Sequence, residues 1–302
     1  MPCCYCPKAL EDLLPHRGPN LMPDTVEMSD DGKTTRSLTK VPAGDCRGRE
    51  VFGRQDASGA PVWNEPFLGE LMALTGIPLL SAKLAAQGQV AVFSMISKLV
   101  FHRTVPLHGE IIGNAILTRE RGGFSSFGTS ATIDGQPILE AEVMSGSASM
   151  DSISSIPAQP FATPPAFISG NEALAFKAPM MRFADGLVAI DAAAKSAIAA
   201  YTYPVDHPFV PGHFPGGPLM MGVTQWSAAA DAAWLAAKAL GLGPVVTAQA
   251  RVYRPSGAEI LDVRDLVLDG TDGVPRLVST KRLAFREPVR PTDGLLIEVT
   301  LS

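Results

Sequence analysis

The sequence is short of charge: Asp, Glu, Lys and Arg make up 18% of its 302 residues, against 46% hydrophobic ones. No run of lysine or arginine is present, and a net charge of −5 at pH 7 offers no basic field, so nucleic acid is excluded as an expected partner. Long apolar runs are missing too. The longest candidate, Ser227 to Leu242, is interrupted by Asp231 and Lys238 and falls short of a membrane span. The N-terminus lacks the charged-then-apolar layout of a signal peptide, which makes the cytoplasm the expected compartment. Cysteine is scarce, with four in the chain and three of them in Cys3-Cys4-Tyr5-Cys6. Cys46 and the scattered histidines add no paired ligand motif, so the cluster reads as a frayed tail with reduced thiols. No metal, nucleotide or flavin is expected.

Glycine and proline, in contrast, are concentrated. Phe209-Val210-Pro211-Gly212-His213-Phe214-Pro215-Gly216-Gly217-Pro218 brackets one histidine between two Pro-Gly steps. That density prescribes an irregular loop that presents the imidazole at a set place. Val223, Trp226, Ala230, Ala233 and Trp234 then recur at helical spacing, which predicts a buried central helix.

An internal offset links this loop to an earlier stretch. Phe52 and Phe209, Gly59 and Gly216, and Pro61 and Pro218 are each 157 positions apart. The offset sets Asp56 opposite His213 and Glu70 opposite Ser227, so at the related positions one copy has the histidine and the other the glutamate. Glu70 lies in a nearly uncharged helix from about Pro66 to Gly76, with Phe67, Leu71 and Leu74 on one apolar face. A carboxyl there is costly to bury without a role or a partner.

The run PGHFPGGP followed by a small-residue helix resembles the active-site loop and central helix of the 3-hydroxyacyl-ACP dehydratases, a family with the hot-dog fold. Leu14-Pro15-His16-Arg17-Gly18-Pro19 is similar to the segment that leads into that family's first strand. The turn Phe101-His102-Arg103-Thr104-Val105-Pro106 and the last strand around Glu140-Ala141-Glu142-Val143-Met144 continue the likeness. The resemblance implies an α+β double hot-dog, two tandem units each with a long central helix wrapped by a curved antiparallel sheet. The family's acid stands fourteen residues after the histidine, where this chain has Ser227.

Strand patterns support two such units. Thr25-Val26 and Lys33 to Val41 precede the first helix, and Gln89 to Val100, Gly109 to Arg121, Gly123 to Ile133 and Pro137 to Ser149 follow it. Gly186 to Asp191 and Ser196 to Tyr203 precede the second helix, with Val245 to Tyr253, Ala258 to Leu268, Val274 to Phe285 and Gly294 to Leu301 after it. The expected organisation is an N-terminal unit over 1–150 supplying the acid, a Ser/Pro/Ala-rich linker over 151–178, and a C-terminal unit over 179–302 supplying the histidine.

What the resemblance implies for chemistry is one composite site that dehydrates 3-hydroxyacyl thioesters to trans-2-enoyl thioesters. His213 takes the α-proton, and Glu70, raised in pKa by apolar neighbours, protonates the departing hydroxyl. Glu65, where the family has a glycine, and Gly216 are the candidate backbone donors to the enolate-like oxygen. Asp56 and Ser227 form the degenerate second site. Asp231 reads equally as a substitute acid or as an acid facing a neighbour, Gln225 shares its helix, His207 reads as structural, and His16 as a surface or capping residue. The partner is an acyl carrier protein or coenzyme A thioester, and the chain is a monomeric double hot-dog or a dimer of it. Thioester hydrolysis or acyl transfer, double-bond isomerisation, and a non-catalytic acyl-binding scaffold remain as alternatives on the same fold.

Overall fold

Alternating burial along each strand, such as the repeating buried and half-buried positions of Phe124–Ile133, marks sheets with one face turned to a core. The computed structural model describes residues 3–5 and 7–302. It begins with β1 (Cys3–Tyr5), α1 (Pro7–Leu13), β2 (Thr25–Met28) and β3 (Thr34–Lys40), then a ribbon of β4 (Gly53–Gln55) and β5 (Pro61–Trp63). Helices α2 (Glu65–Gly76) and α3 (Pro78–Ala85) lead into β6 (Gln89–Phe101), β7 (Glu110–Arg121), β8 (Phe124–Ile133) and β9 (Gln136–Ser149). After α4 (Met150–Ser154) and β10 (Ile168–Ser169) come β11 (Gly186–Asp191), β12 (Ser196–Thr202) and α5 (Gly222–Ala239). The chain closes with β13 (Val245–Tyr253), β14 (Glu259–Asp269), β15 (Arg276–Phe285) and β16 (Gly294–Leu301).

Fourteen strands form one antiparallel sheet in the order β1-β2-β3-β7-β8-β9-β6-β15-β14-β13-β16-β12-β11-β10. It wraps two central helices, and the fold is a double hot-dog. The two units have the same chain order of elements but not the same strand order in space. In the first, β6 lies beside β9, after a crossover through residues 102–109. In the second, Arg254 to Ala258 closes a tight turn, with the Arg254 amide bonded to the Ala258 carbonyl at 2.9 Å, so β13 and β14 form a hairpin. The crossover is thereby moved to residues 286–293, and β16 is inserted between β12 and β13. β15 is left to meet β6, with Ser279 opposite Val100 and Ala284 opposite Met95.

The helices pack where small residues permit it. α5 is buried from Val223 to Ala237, and its alanines let the curved sheet approach closely. A Cβ at Gly69 of α2 would lie 3.4 Å from the Trp226 ring of α5, which itself stacks on Phe101 at 6.0 Å. Pro78 ends the hydrogen-bonded ladder of α2, and α2 and α3 are bent by 59°. Among the described residues no single helix is long and apolar enough to cross a membrane.

One expectation needs correction here. Cys3 to Tyr5 is not frayed: its backbone pairs with Met28 to Val26, while Cys6 lies outside the described residues. Residues 151–178, expected as the linker, make contacts of their own. Ser149 caps α4 through its side chain, Gly294 donates to the Gln159 carbonyl at 3.0 Å, and Leu174 and Lys177 are buried.

Arg254 and Asp293 secure the 286–293 crossover, buried together with their charged groups 3.1 Å apart. Asp293 also accepts from the Arg290 amide at 2.8 Å, and Arg254 donates to the Pro288 carbonyl at 2.6 Å. Removing one partner strands a buried charge. Arg254→Met is therefore expected to destabilise the fold by about 3–5 kcal/mol, seen as a lower urea midpoint at unchanged m-value. Arg254→Met combined with Asp293→Asn should recover much of that loss.

Candidate active site

His213 sits in the loop between β12 and α5, and the loop is fixed by its own backbone. The His213 amide donates to the Phe209 carbonyl at 3.1 Å, and the Leu219 amide to the His213 carbonyl at 2.6 Å. The His213–Phe214 peptide is cis. The ring is held as well: Nδ1 lies 3.1 Å from the Leu219 carbonyl, which can only accept, so Nδ1 carries the proton and Nε2 the lone pair.

A second segment is clasped onto this loop. The Arg17 amide donates to the Gly212 carbonyl at 3.0 Å, and Asn20 Nδ2 to the Phe209 carbonyl at 2.9 Å. Only glycine permits the approach, since a Cβ at Gly212 would lie 2.2 Å from the Arg17 carbonyl oxygen. The Arg17 guanidinium meanwhile bonds the carbonyls of Glu11, Leu14 and His16 near the end of α1. His16 is thus locked on both sides and aimed inward.

The third group rises from α2. Glu70 is 2% exposed, and its Oε1 lies 3.8 Å from His16 Nε2. The rings of His16 and His213 are 5.1 Å apart, and one ligand atom from each of His16, Glu70 and His213 lies within 4.8 Å of the others. Glu70 Oε2 and His16 Nδ1 have no hydrogen-bond partner among the described residues. All three groups line a cavity of about 290 Å3, otherwise walled largely by apolar side chains such as Ala73, Ile77, Phe127, Val143 and Leu219. Gln225, Arg286 and Glu287 add polar groups to its lining.

Burial inverts the usual protonation of the site. It pushes the Glu70 carboxyl up to about 8 and the His213 imidazole down to about 4. His16 is held well below its ordinary value, by burial first and then by His213 and Arg17. At neutral pH the site therefore holds a protonated carboxyl beside neutral imidazoles.

The structure brings His213 and Glu70 into one cavity, as their pairing across the two units requires. His16 is neither surface nor cap; its distance in sequence from both partners hid it, and the clasp to the histidine loop is a long-range feature. Glu65 does not line the cavity. Five residues turn a helix by about 140°, so Glu65 points away from Glu70 and is paired with Arg54 instead. Gly216 is an exposed turn residue and does not line the cavity either. Two glycines do, Gly76 at the end of α2 and Gly222, the latter 157 residues on from Glu65 and at the first position of α5, where backbone N–H groups have no helical partner. The same offset marks it in the sequence, on the helix that carries no acid.

The expected degenerate pair is also dispersed. Asp56 folds back on its own turn, accepting from the Ser58 and Ala60 amides at 2.9 Å, and Ser227 is fully buried outside the cavity. In the region related to the cavity by the offset, Arg54 binds Glu65 and Lys177 binds Asp231, with Phe176 beside both cations. Trp234 stands there where the cavity has Ile77, and a pocket of about 20 Å3 remains. Asp231, which also accepts from the Phe183 amide at 2.9 Å, faces a neighbour and is no substitute acid. His207 is structural, bonded to the Met180 carbonyl at 2.8 Å.

Linkage gives the inverted site a signature. An unfolded Glu70 ionises near 4.5 while the folded one keeps its proton to about 8, so its contribution to stability is whole below pH 4.5 and lost as pH rises toward 8. His213 runs the other way: its contribution is whole above 6.5 and lost as pH falls through about 4. Between pH 6.5 and 8 only Glu70 of this pair acts, at about 1 kcal/mol per pH unit. The thermal midpoint should fall across that window, and Glu70→Gln should flatten the fall; equal slopes would contradict the burial of an acid at this position.

No family model matches the chain. The 3-hydroxyacyl-ACP dehydratase FabZ of Listeria monocytogenes serotype 4b (strain CLIP80459) is 30% identical over 138 residues, 45% of this chain and 92% of that protein. The protein of the same name from Sodalis glossinidius (strain morsitans) is 32% identical over 135 residues, 44% of this chain and 86% of that protein. Among solved structures, the dehydratase domain from the terminal module of the rifamycin polyketide synthase aligns over 90% of this chain and 98% of that domain, at 13% identity and a TM-score of 0.46.

Proposed function

The chain belongs to the 3-hydroxyacyl-ACP dehydratase FabZ family, and from that premise we propose that one composite site, with His213 as base and Glu70 as acid, carries out the dehydration. Residues 1–150 supply the acid and residues 179–302 the base. The observation that carries this reading is the neutral imidazole and the protonated carboxyl held within one apolar cavity. An elimination asks for that pair of protonation states.

The substrate is an acyl thioester, borne by acyl carrier protein as in the relatives' name, or by coenzyme A. His213 Nε2 removes the proton from C2, the electron pair forms the C2–C3 double bond, and the C3 hydroxyl leaves as water with the Glu70 proton. The charge that develops on the thioester oxygen is met by the Gly222 amide at the start of α5, where the helix dipole adds to the hydrogen bond. The product is the trans-2-enoyl thioester. Proton return from His213 to Glu70, directly or through a water, resets the site. Both groups belong to one chain, so the reading requires no second copy.

Hydrolysis is the weaker reading. It needs a carboxylate to activate water, whereas Glu70 is protonated at neutral pH and Asp56, the other candidate, is bound into its own turn.

His213→Ala and Glu70→Gln are each expected to lower kcat/KM for a 3-hydroxyacyl thioester by about 10²–10⁴-fold, followed by the enoyl absorbance. The wild-type rate should be level from about pH 5 to 7 and decline as Glu70 ionises near 8. Thiol release by the wild type in place of enoyl formation would overturn the assignment.

A further inference from the structure

The elimination uses two of the three polar groups that converge in the cavity, and His16 remains. We infer that His16, Glu70 and His213 together form a three-donor site for a divalent transition metal of the zinc type, and that its occupancy switches the dehydratase off. The switching part rests on the function proposed above; the metal site does not.

Each donor comes from a different segment, and the segments of the two histidines are fixed by contacts outside the trio. His16 stands between α1 and the clasp at Arg17 and Gly212, Glu70 on α2, and His213 in the loop ahead of α5. The Leu219 carbonyl takes the Nδ1 proton of His213, the outer contact that orients a metal-binding imidazole and leaves Nε2 free to coordinate. His16 Nε2 faces the Glu70 carboxyl at 3.8 Å. Two further atoms in the same place, Glu70 Oε2 and His16 Nδ1, are buried without partners among the described residues. Unpartnered buried polar atoms are costly, and a cation satisfies the carboxylate among them.

The donor set selects the ion. Two imidazoles and one carboxylate suit zinc and its neighbours, whereas magnesium and calcium ask for oxygen donors throughout. Tetrahedral zinc with bonds near 2.0–2.1 Å needs donor atoms about 3.3 Å apart. The present separations lie within 4.8 Å, so side-chain rotations of about an ångström close the shell. Three protein donors leave a fourth position open to the cavity. The metal would engage the Nε2 lone pair that takes the α-proton and would displace to solvent the carboxyl proton that the leaving hydroxyl needs, so it and turnover are mutually exclusive.

The test uses the full chain, stripped with chelator and titrated with Co²⁺, whose visible bands report coordination. One equivalent should produce bands of a nitrogen–oxygen site with no thiolate charge-transfer band, which Cys3, Cys4, Cys6 or Cys46 would contribute. His16→Asn, Glu70→Gln and His213→Asn should each weaken binding by about tenfold or more. Zn²⁺ should raise the thermal midpoint of the wild type, a readout that needs no variant to fold. Stoichiometric Zn²⁺ should abolish most enoyl formation, and EDTA should restore it. A thiolate band, or binding indifferent to all three substitutions, overturns the site. Tight binding without inhibition overturns the switch. A chain that dehydrates but binds no Co²⁺ overturns this inference alone, and one that binds Co²⁺ at these residues without dehydrating overturns the function proposed above and the switch with it, while the metal site stands.

Discussion

Two hydrogen bonds, from the Arg17 amide to the Gly212 carbonyl and from Asn20 to the Phe209 carbonyl, decide the character of the cavity. They join a segment near the start of the chain to a loop that follows two-thirds of it. Without them the His16 side chain has no reason to enter the interior, and the His213 loop loses one wall. With them, Glu70 is closed off from water on the side of α1, and desolvation sets its protonation state. One steric fact supports the arrangement: a glycine at 212 where any side chain would strike the Arg17 backbone.

The inverted protonation follows from this enclosure more than from any charge partner. Burial leads the causes for Glu70, His213 and His16 alike. A cavity of mostly apolar lining favours the neutral form of every ionisable group it encloses, raising acids and lowering bases at once. The same physics acts on Glu70 and His213 alike, and neither needs a neighbouring ion to shift it.

Periodicity made much of the fold legible. Strands of the first unit such as Gln89–Phe101 and Gln136–Ser149 begin and end within a residue or so of where alternation and turn residues put them, because those signals are local. Pairing between strands is not local. The tight turn at Arg254 to Ala258 reorders the second unit's strands, a consequence of hydrogen bonds between residues whose partners no pattern of alternation names. In the site, the offset of 157 put Glu70 forward as a counterpart to His213. It relates Glu65 to Gly222 as well, and of these two only Gly222 lines the cavity, because Glu65 faces the far side of α2. His16 stayed out of reach because its role depends on the Gly212 contact alone.

The two ion pairs, Arg54 with Glu65 and Lys177 with Asp231, fill the place where symmetry would put a second cavity. They convert a vestige into a strut. A histidine at position 56 would meet no cavity there, because four side chains and the Trp234 ring occupy the space. Duplication has in this sense become lopsided: two units of one architecture enclose a single roomy cavity, while the region related to it is braced by opposite charges.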